Sequence, residues 1–298
     1  MNLWTAAAAV VSAPAKLNLH LRVVGRRPDG YHLLDSIVAP ISVFDSVTVR
    51  VIPASVTGVS LRCDPPGAAP ATADNLAAAA ARSFLDRLGT NTRVAIELVK
   101  RIPVGAGLGG GSSDAAAVLR GLNALLRKPV TAPVLRSWAL ELGADVPLFL
   151  VGRPVRMRGI GDQLEAWRGS EPRPIVVAFA GAGLSTAEVY AKYDDLLTMS
   201  GVTSSIRPPT PGQEPLPSVL QNDLEAAAFL VQPALPSLKQ RLCSLGAEGV
   251  LMTGSGSAVF GYWRNWDDAQ AAAECLRAAG VWARVARVVE RVPAVQLM

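Results

Sequence analysis

The chain has 298 residues, of which 50% are hydrophobic, 18% charged and 5% aromatic. At roughly 150 residues per domain this predicts one large or two medium domains, and the apolar share excludes a disordered or fibrous chain. The 29 Lys and Arg against 24 Asp and Glu leave a formal charge of +5, which suits an anionic ligand and is too small to argue nucleic-acid binding.

Cys63, Cys243 and Cys275 are too far apart for a zinc spacing and too few for a disulfide framework, which points to a reducing compartment. With only His20 and His32 in the chain, a multi-histidine metal site is excluded. No apolar run approaches the ~18 residues of a membrane-spanning helix. Ala13-Pro14-Ala15 imitates a leader cleavage site, but Met1 to Thr5 lack the basic residues a secretory leader carries. The segment is therefore read as the start of a first strand in a cytoplasmic protein.

Residues 12–24 alternate, with Ala15, Leu17, Leu19, Leu21 and Val23 on one face and Lys16, Asn18, His20 and Arg22 on the other. That period predicts a strand with a buried and a polar side. A turn at Arg27-Pro28-Asp29-Gly30 follows, then a strand from Phe44 to Ile52. Residues 53–73 predict loops around one short strand. Asp74 is the expected N-cap of a helix running to Leu88, with Gly89 behind it. Val94, Ile96 and Leu98 predict a strand ending at Pro103. A helix capped by Ser112 and Ser113 and another over Ala132–Leu142 come next. Residues 169–174 look like a domain boundary, dividing the chain into 1–171 and 172–298. The second part reads as a strand at Ile175–Phe179, a surface loop at 201–217, and helices near 218–230 and 234–245. A strand–glycine–strand segment at 249–262, a helix at 266–279 and an extended end complete it. Strands and helices mix without βαβ repetition, which predicts an α+β protein.

The most informative segment runs Pro103, Val104, Gly105, Ala106, Gly107, Leu108, Gly109, Gly110, Gly111, Ser112, Ser113. Five glycines leave the backbone open to a ligand, and successive N–H groups ahead of a helix N-terminus form an anion cradle. A flexible linker is the plain alternative, but linkers do not sit between an alternating strand and an amphipathic helix. Gly105 to Gly110 satisfies G-x-G-x-x-G formally, yet Pro103 intervenes after the strand and no acid lies about 20 positions on, so a dinucleotide site does not fit. The P-loop and protein-kinase patterns fail as well.

The loop resembles the second motif of the GHMP kinases. Ser12-Ala-Pro-Ala-Lys-Leu-Asn-Leu19 and Met252-Thr-Gly-Ser-Gly-Ser-Ala-Val-Phe260 are similar to that family's first and third motifs. Within the family the chain looks most like the branch acting on the cytidine diphosphate ester of methylerythritol in non-mevalonate isoprenoid synthesis. Arg27-Pro-Asp-Gly-Tyr31-His32, Gly143-Ala-Asp145-Val-Pro147 and Gln221-Asn-Asp-Leu-Glu225 carry that closer likeness, which spans about residues 10 to 290. The resemblance implies a two-domain α+β fold, with an N-terminal half like domain 2 of ribosomal protein S5 and a ferredoxin-like C-terminal half. It implies a kinase moving phosphate from ATP, with Mg2+, to the 2-hydroxyl of that ester in a cleft between the halves.

By the same resemblance Asp145 is the base that orients and deprotonates the acceptor hydroxyl; its setting between Gly143 and Pro147 predicts an extended backbone. Lys16 contacts Asp145 and neutralises the transferring phosphoryl. Tyr31 and His32 hold the cytosine, Asn18 and Thr186 the sugar or diphosphate, and Asn75 and Lys100 lie near the adenine. Residues 254–257 close against the glycine loop. Ser112 or Ser113 reaches a bridging metal without a dedicated second carboxylate, a sparse arrangement that Mg2+ tolerates. Arg153, Arg156, Arg158, Arg284, Arg287 and Arg291 are read as a solvated face. The expected partners are small molecules alone, with no nucleic acid or membrane, in a monomer or homodimer. The rivals are another GHMP kinase and a basic nucleic-acid-binding module; the second predicts aromatics interleaved with a basic stripe, which the chain lacks.

Overall fold

The computed structural model describes residues 3–70, 72–168, 173–200 and 220–298. The expected division at 171/172 and the 201–217 loop lie outside the described residues, as do residues 218–219 of the helix expected near 218–230.

The chain opens with two long antiparallel strands, β1 (Ala8–Arg26) and β2 (His32–Pro53), joined by the Arg27–Gly30 turn. In that turn Gly30 N–H bonds to Arg27 O at 2.9 Å and Arg27 N–H to Tyr31 O at 2.7 Å. β3 (Gly58–Asp64), α1 (Leu76–Leu88), β4 (Thr92–Val99) and α2 (Gly110–Leu125) follow, with β3 and β4 parallel across the α1 crossover. Next come α3 (Ala132–Leu142), α4 (Val146–Val151) and the hairpin of β5 (Val155–Gly159) and β6 (Gln163–Ala166). The first sheet runs β12-β1-β2-β4-β3, with β5 also on β2; β12 is Gln296–Leu297.

The second sheet holds β7 (Ile175–Phe179), β9 (Gly249–Met252), β10 (Val259–Tyr262) and β11 (Trp282–Ala286) in the order β11-β7-β10-β9, all antiparallel. Numbered along the chain this is 4-1-3-2, the ferredoxin-like order. Between β7 and β9 lie α5 (Thr186–Ser200), β8 (Gln221–Asn222), α6 (Glu225–Val231) and α7 (Ala234–Ser244); α8 (Trp266–Ala278) precedes β11. The fold is α+β, as expected. The structure adds elements that the sequence reading lacks: the N-terminal half of β2, α4, the β5–β6 hairpin, α5 and β8.

β1 departs from a simple two-faced strand. Ala9, Val11 and Ala13 pack under α1 and α2, whereas Ala15, Leu17 and Leu19, of the same parity, pack against the second sheet. The change falls where the β1–β2 register breaks, between Pro14 and Ala15; a second break leaves Leu19 unpaired between Asn18 and His20. Bulges of this kind bend a strand and re-aim its side chains. The side expected to be polar is buried as well, with Lys16, Asn18, His20 and Arg22 all inside the protein.

Local corrections concern helix starts. Asn75, not Asp74, caps α1, accepting from Ala77 N at 2.9 Å. Gly109 in the left-handed region is the N-cap of α2, so Ser112 and Ser113 lie inside its first turn. Asp145 is helical (φ −84°, ψ −15°) at the head of α4, because Pro147 occupies the first turn, where no backbone donor is needed. Arg156 is not on a solvated face: it is buried, its Nε donating to Asp35 Oδ1 at 2.7 Å.

Candidate active site

The glycine loop crosses between the two sheets. Ile102, Ala106 and Leu108 point into the core there, which leaves the glycines at the surface of a cavity of about 310 Å³. Backbone bonds hold the loop on both sides: Lys16 N–H to Leu108 O at 2.9 Å, and Ala258 N–H to Ala106 O at 2.9 Å. Gly105, Gly107 and Gly109 have φ of 75°, 76° and 71°, and Ala106 is not among the positive-φ residues. A Cβ on Gly107 would stand 2.4 Å from Gly256 O, so the turn at 253–257 does close on the loop. Asn75, Lys100, Asp114 and residues 103–112 line this cavity. α2 begins at its wall, and the free N–H groups of a helix start favour a phosphate there.

Lys16 is buried beside the loop, its Nζ donating to Asn18 Oδ1 at 2.6 Å. Asn18 Nδ2 donates to Ser36 Oγ at 2.9 Å, and Asn18 N–H to Thr253 Oγ1 at 2.9 Å. Asn222, on β8, donates to Met252 O and Gly254 O at 2.8 Å each. It thereby fixes the 253–257 turn, where a Cβ on Gly254 would lie 3.2 Å from Lys16 Nζ. Burial lowers the Lys16 pKa against the opposing pull of the Asp145 carboxylate. Lys16 and Asp145 thus act on each other through their charges, while the hydrogen bond of the ammonium goes to Asn18.

A second cavity, of about 780 Å³, opens beyond the loop. Tyr31, His32, Ser112, Asp145, Thr186 and Tyr190 are among its walls. Ser112 borders both cavities, whereas Ser113 is buried in α2. Among the aromatics here, His32 stacks on Tyr190 at 4.7 Å and 26°, and meets Tyr193 edge-on at 6.3 Å. His32 Nε2 lies 2.7 Å from Asp194 Oδ1, and Arg26 Nη1 is 3.2 Å from the other oxygen. Burial, with Asp145 and Tyr193 adding, pushes the Tyr190 pKa up to about 12, so its hydroxyl stays neutral. Tyr31, 64% exposed, stands open at the rim, and Thr186 Oγ1 is 2.9 Å from Ser255 Oγ.

Known proteins match this arrangement along nearly the whole chain. The family model for the GHMP kinase N-terminal domain matches residues 75–153, and that for the C-terminal domain residues 214–281. A 4-diphosphocytidyl-2-C-methyl-D-erythritol kinase of Syntrophotalea carbinolica is 40% identical over 273 residues, covering 91% of this chain and 95% of that protein. This chain belongs to the GHMP kinases. The protein of the same description from Thermus thermophilus is 42% identical, covering 91% of this chain and 94% of its own. A crystal structure of 4-(cytidine 5'-diphospho)-2C-methyl-D-erythritol kinase superposes with a TM-score of 0.76 at 39% identity, over 94% of this chain and 98% of that one. Mevalonate kinase of L. major, at 16% identity and a TM-score of 0.72 over 99% and 100% of the chains, shares the fold.

In this GHMP kinase the sites expected from sequence fall into three places. Asn75, Lys100 and the glycine loop meet at the smaller cavity, and Tyr31, His32, Asp145 and Thr186 at the larger. Lys16 and Asn18 lie between the loop and the 253–257 turn, and neither is among the residues lining the larger cavity. The sequence reading passed over Tyr190 and Asp194. Their one signal is spacing: Thr186, Tyr190 and Asp194 recur every four residues, one face of a helix. It also gave no role to Asp45, Asp114, Thr253 or Asn222, whose meaning depends on partners distant in the chain.

Proposed function

We propose that this GHMP kinase moves the γ-phosphoryl group of ATP to the 2-hydroxyl of 4-(cytidine 5'-diphospho)-2-C-methyl-D-erythritol. One observation carries the reading. A glycine-walled cavity and a larger one with Tyr31, His32 and Tyr190 among its walls share Ser112, with Asp145 lining the larger. The smaller cavity takes ATP, its phosphates lying along the loop N–H groups and the start of α2. The larger takes the acceptor, with the cytosine against Tyr31, His32 and Tyr190 and the diphosphate near Thr186.

Asp145 accepts a hydrogen bond from the acceptor hydroxyl and takes its proton as the oxygen bonds to the γ-phosphorus. The bond to the β–γ bridging oxygen breaks, and ADP leaves. Charge spreads over the phosphoryl oxygens in this step, so positioning and neutralisation dominate. Lys16 supplies the neutralisation. Burial lowers its pKa against the pull of Asp145, and an anionic phosphoryl beside it would further favour the charged form. Asn18 keeps the ammonium aimed.

No group of three His, Cys, Asp or Glu able to hold a metal occurs among the described residues. An oxygen-only set of Ser112, waters and nucleotide oxygens still fits Mg2+, which keeps waters and binds through substrate phosphates. When bound, the ion would neutralise phosphate charge. The reading further takes 1–171 and 172–298 as the domains of a cytoplasmic monomer or homodimer acting on small molecules. Among the described residues no helix is long and apolar enough to cross a membrane.

ADP release by the purified protein with Mg-ATP tests the proposal, comparing the cytidylated ester with mevalonate, homoserine and galactose. Turnover with the first alone is expected. Turnover with one of the other alcohols, or with none, overturns the acceptor assignment.

A further inference from the structure

The mechanism leaves one group of buried charges unused. Asp45, on β2, has no exposed surface and lies beneath the point where β4 runs into the glycine loop. Its Oδ1 accepts from the backbone N–H groups of Arg101 at 2.5 Å and Ile102 at 2.9 Å. Its Oδ2 pairs with Lys100 Nζ, and the same ammonium donates to Asp114 Oδ2 on α2 at 2.6 Å. One carboxylate thus ties β2, the end of β4 and, through Lys100, the N-terminal part of α2 into a single cluster.

A buried carboxylate is costly unless donors meet its lone pairs. Asp45 meets three, all on residues 100–102, immediately before the loop. Backbone bonds from Lys16 and Ala258 hold its middle, but its glycines have wide backbone freedom, so its ends need anchors too. α2 holds the far end. At the near end Pro103 has no N–H, and the Asp45 bonds are the last before the glycines begin. Lys100 is held as well. Burial alone lowers its pKa, but Asp114 and Asp45 raise it above the ordinary lysine value, so the ammonium stays charged at the cavity wall.

We propose that Asp45 is a positioning residue for the nucleotide, fixing the start of the glycine loop and the place of Lys100. Affinity for ATP depends on it, and affinity for the acceptor does not. The inference rests on the reading of the smaller cavity as the nucleotide site.

The test is D45N, which keeps the size and one acceptor oxygen but loses the charge facing Lys100. Binding of a non-hydrolysable ATP analogue is measured without acceptor, and KM for both substrates in turnover. Loss of a charge-assisted bond predicts an affinity for the analogue about tenfold weaker, with the acceptor KM within about twofold of wild type. If D45N does not fold, D45E keeps the charge facing Lys100 but moves the carboxylate off the Arg101 and Ile102 N–H groups; it should fold and still bind the analogue weakly. Equal rises in both KM values, wild-type affinity in folded D45N, or wild-type affinity in D45E would overturn the proposal. Wild-type protein that binds no analogue refutes the cavity reading and this inference with it. Normal wild-type binding with an unaffected D45N refutes this inference alone.

Discussion

Replacing Gly107 by alanine should damage the protein far more than replacing Gly111, although both belong to the same loop. Gly107 has φ +76°, and an added Cβ would sit 2.4 Å from Gly256 O and 3.0 Å from Thr253 O. The left-handed backbone costs an alanine about 1–2 kcal/mol. The contact is with backbone that cannot rotate aside, so overpacking adds about 1–3 kcal/mol. The sum, about 2–5 kcal/mol, corresponds to a Tm lower by roughly 3–8 °C at this chain length. Gly111 is helical and a Cβ there meets nothing within 4 Å. Alanine at that position should leave Tm unchanged or raise it, through a helix preference of about 0.5–1 kcal/mol. Gly111 lines the cavity proposed for ATP, so G111A should weaken ATP binding in a well-folded protein. Thermal unfolding without nucleotide, followed by ATP titration, separates the two effects. Equal Tm values for G107A and wild type would refute the claim that the 253–257 turn presses on this loop.

Further predictions concern the two sides of the reaction and the charge beneath it. D145N should lower kcat by about 10²–10⁴-fold, the range for a lost general base, and leave ATP binding nearly intact; loss of ATP binding would make the role of Asp145 structural. Y31A and Y190A should each raise the acceptor KM about tenfold, the scale of one aromatic contact, without moving that for ATP; equal effects on both would remove the cytosine pocket. Asp114 has a pKa pushed up to about 7, by burial first, with Lys100 opposing and Asp45 adding. Between the ordinary carboxylate value and about 7 the folded protein holds a proton that the unfolded chain has shed. This contribution to stability is therefore complete below the ordinary value and is lost as pH rises through about 7. Urea unfolding at pH 5 and pH 8 should show that decline in wild type and a flatter profile in D114N; identical profiles would contradict it.

Much of the candidate site was legible because its signals are local. A glycine loop between an alternating strand and an amphipathic helix is a short-range pattern, and the α2, α3 and α8 periodicities need no knowledge of the fold. Cap residues were the weak point: Asp74 and Asn75 are equally good candidates by type, and only the geometry gives the bond to Ala77 N to Asn75. β2 before Phe44 was missed because residues 35–41 are buried without a break, lacking the alternation that marks a half-exposed strand.

The sequence by itself determined which residue types stand ready for phosphate chemistry and in what order. It did not determine where they meet. Lys16 and Asn18 share a face of β1 by parity, but the register break before Ala15 decides which core lies behind them. Asp145 and Lys16 are 129 positions apart, and Asn222 supports the site only because β8 pairs with β1. Parity and period are properties of neighbours along the chain. A site assembled from two sheets depends on how the strands are ordered and bent, and that is set by long-range packing.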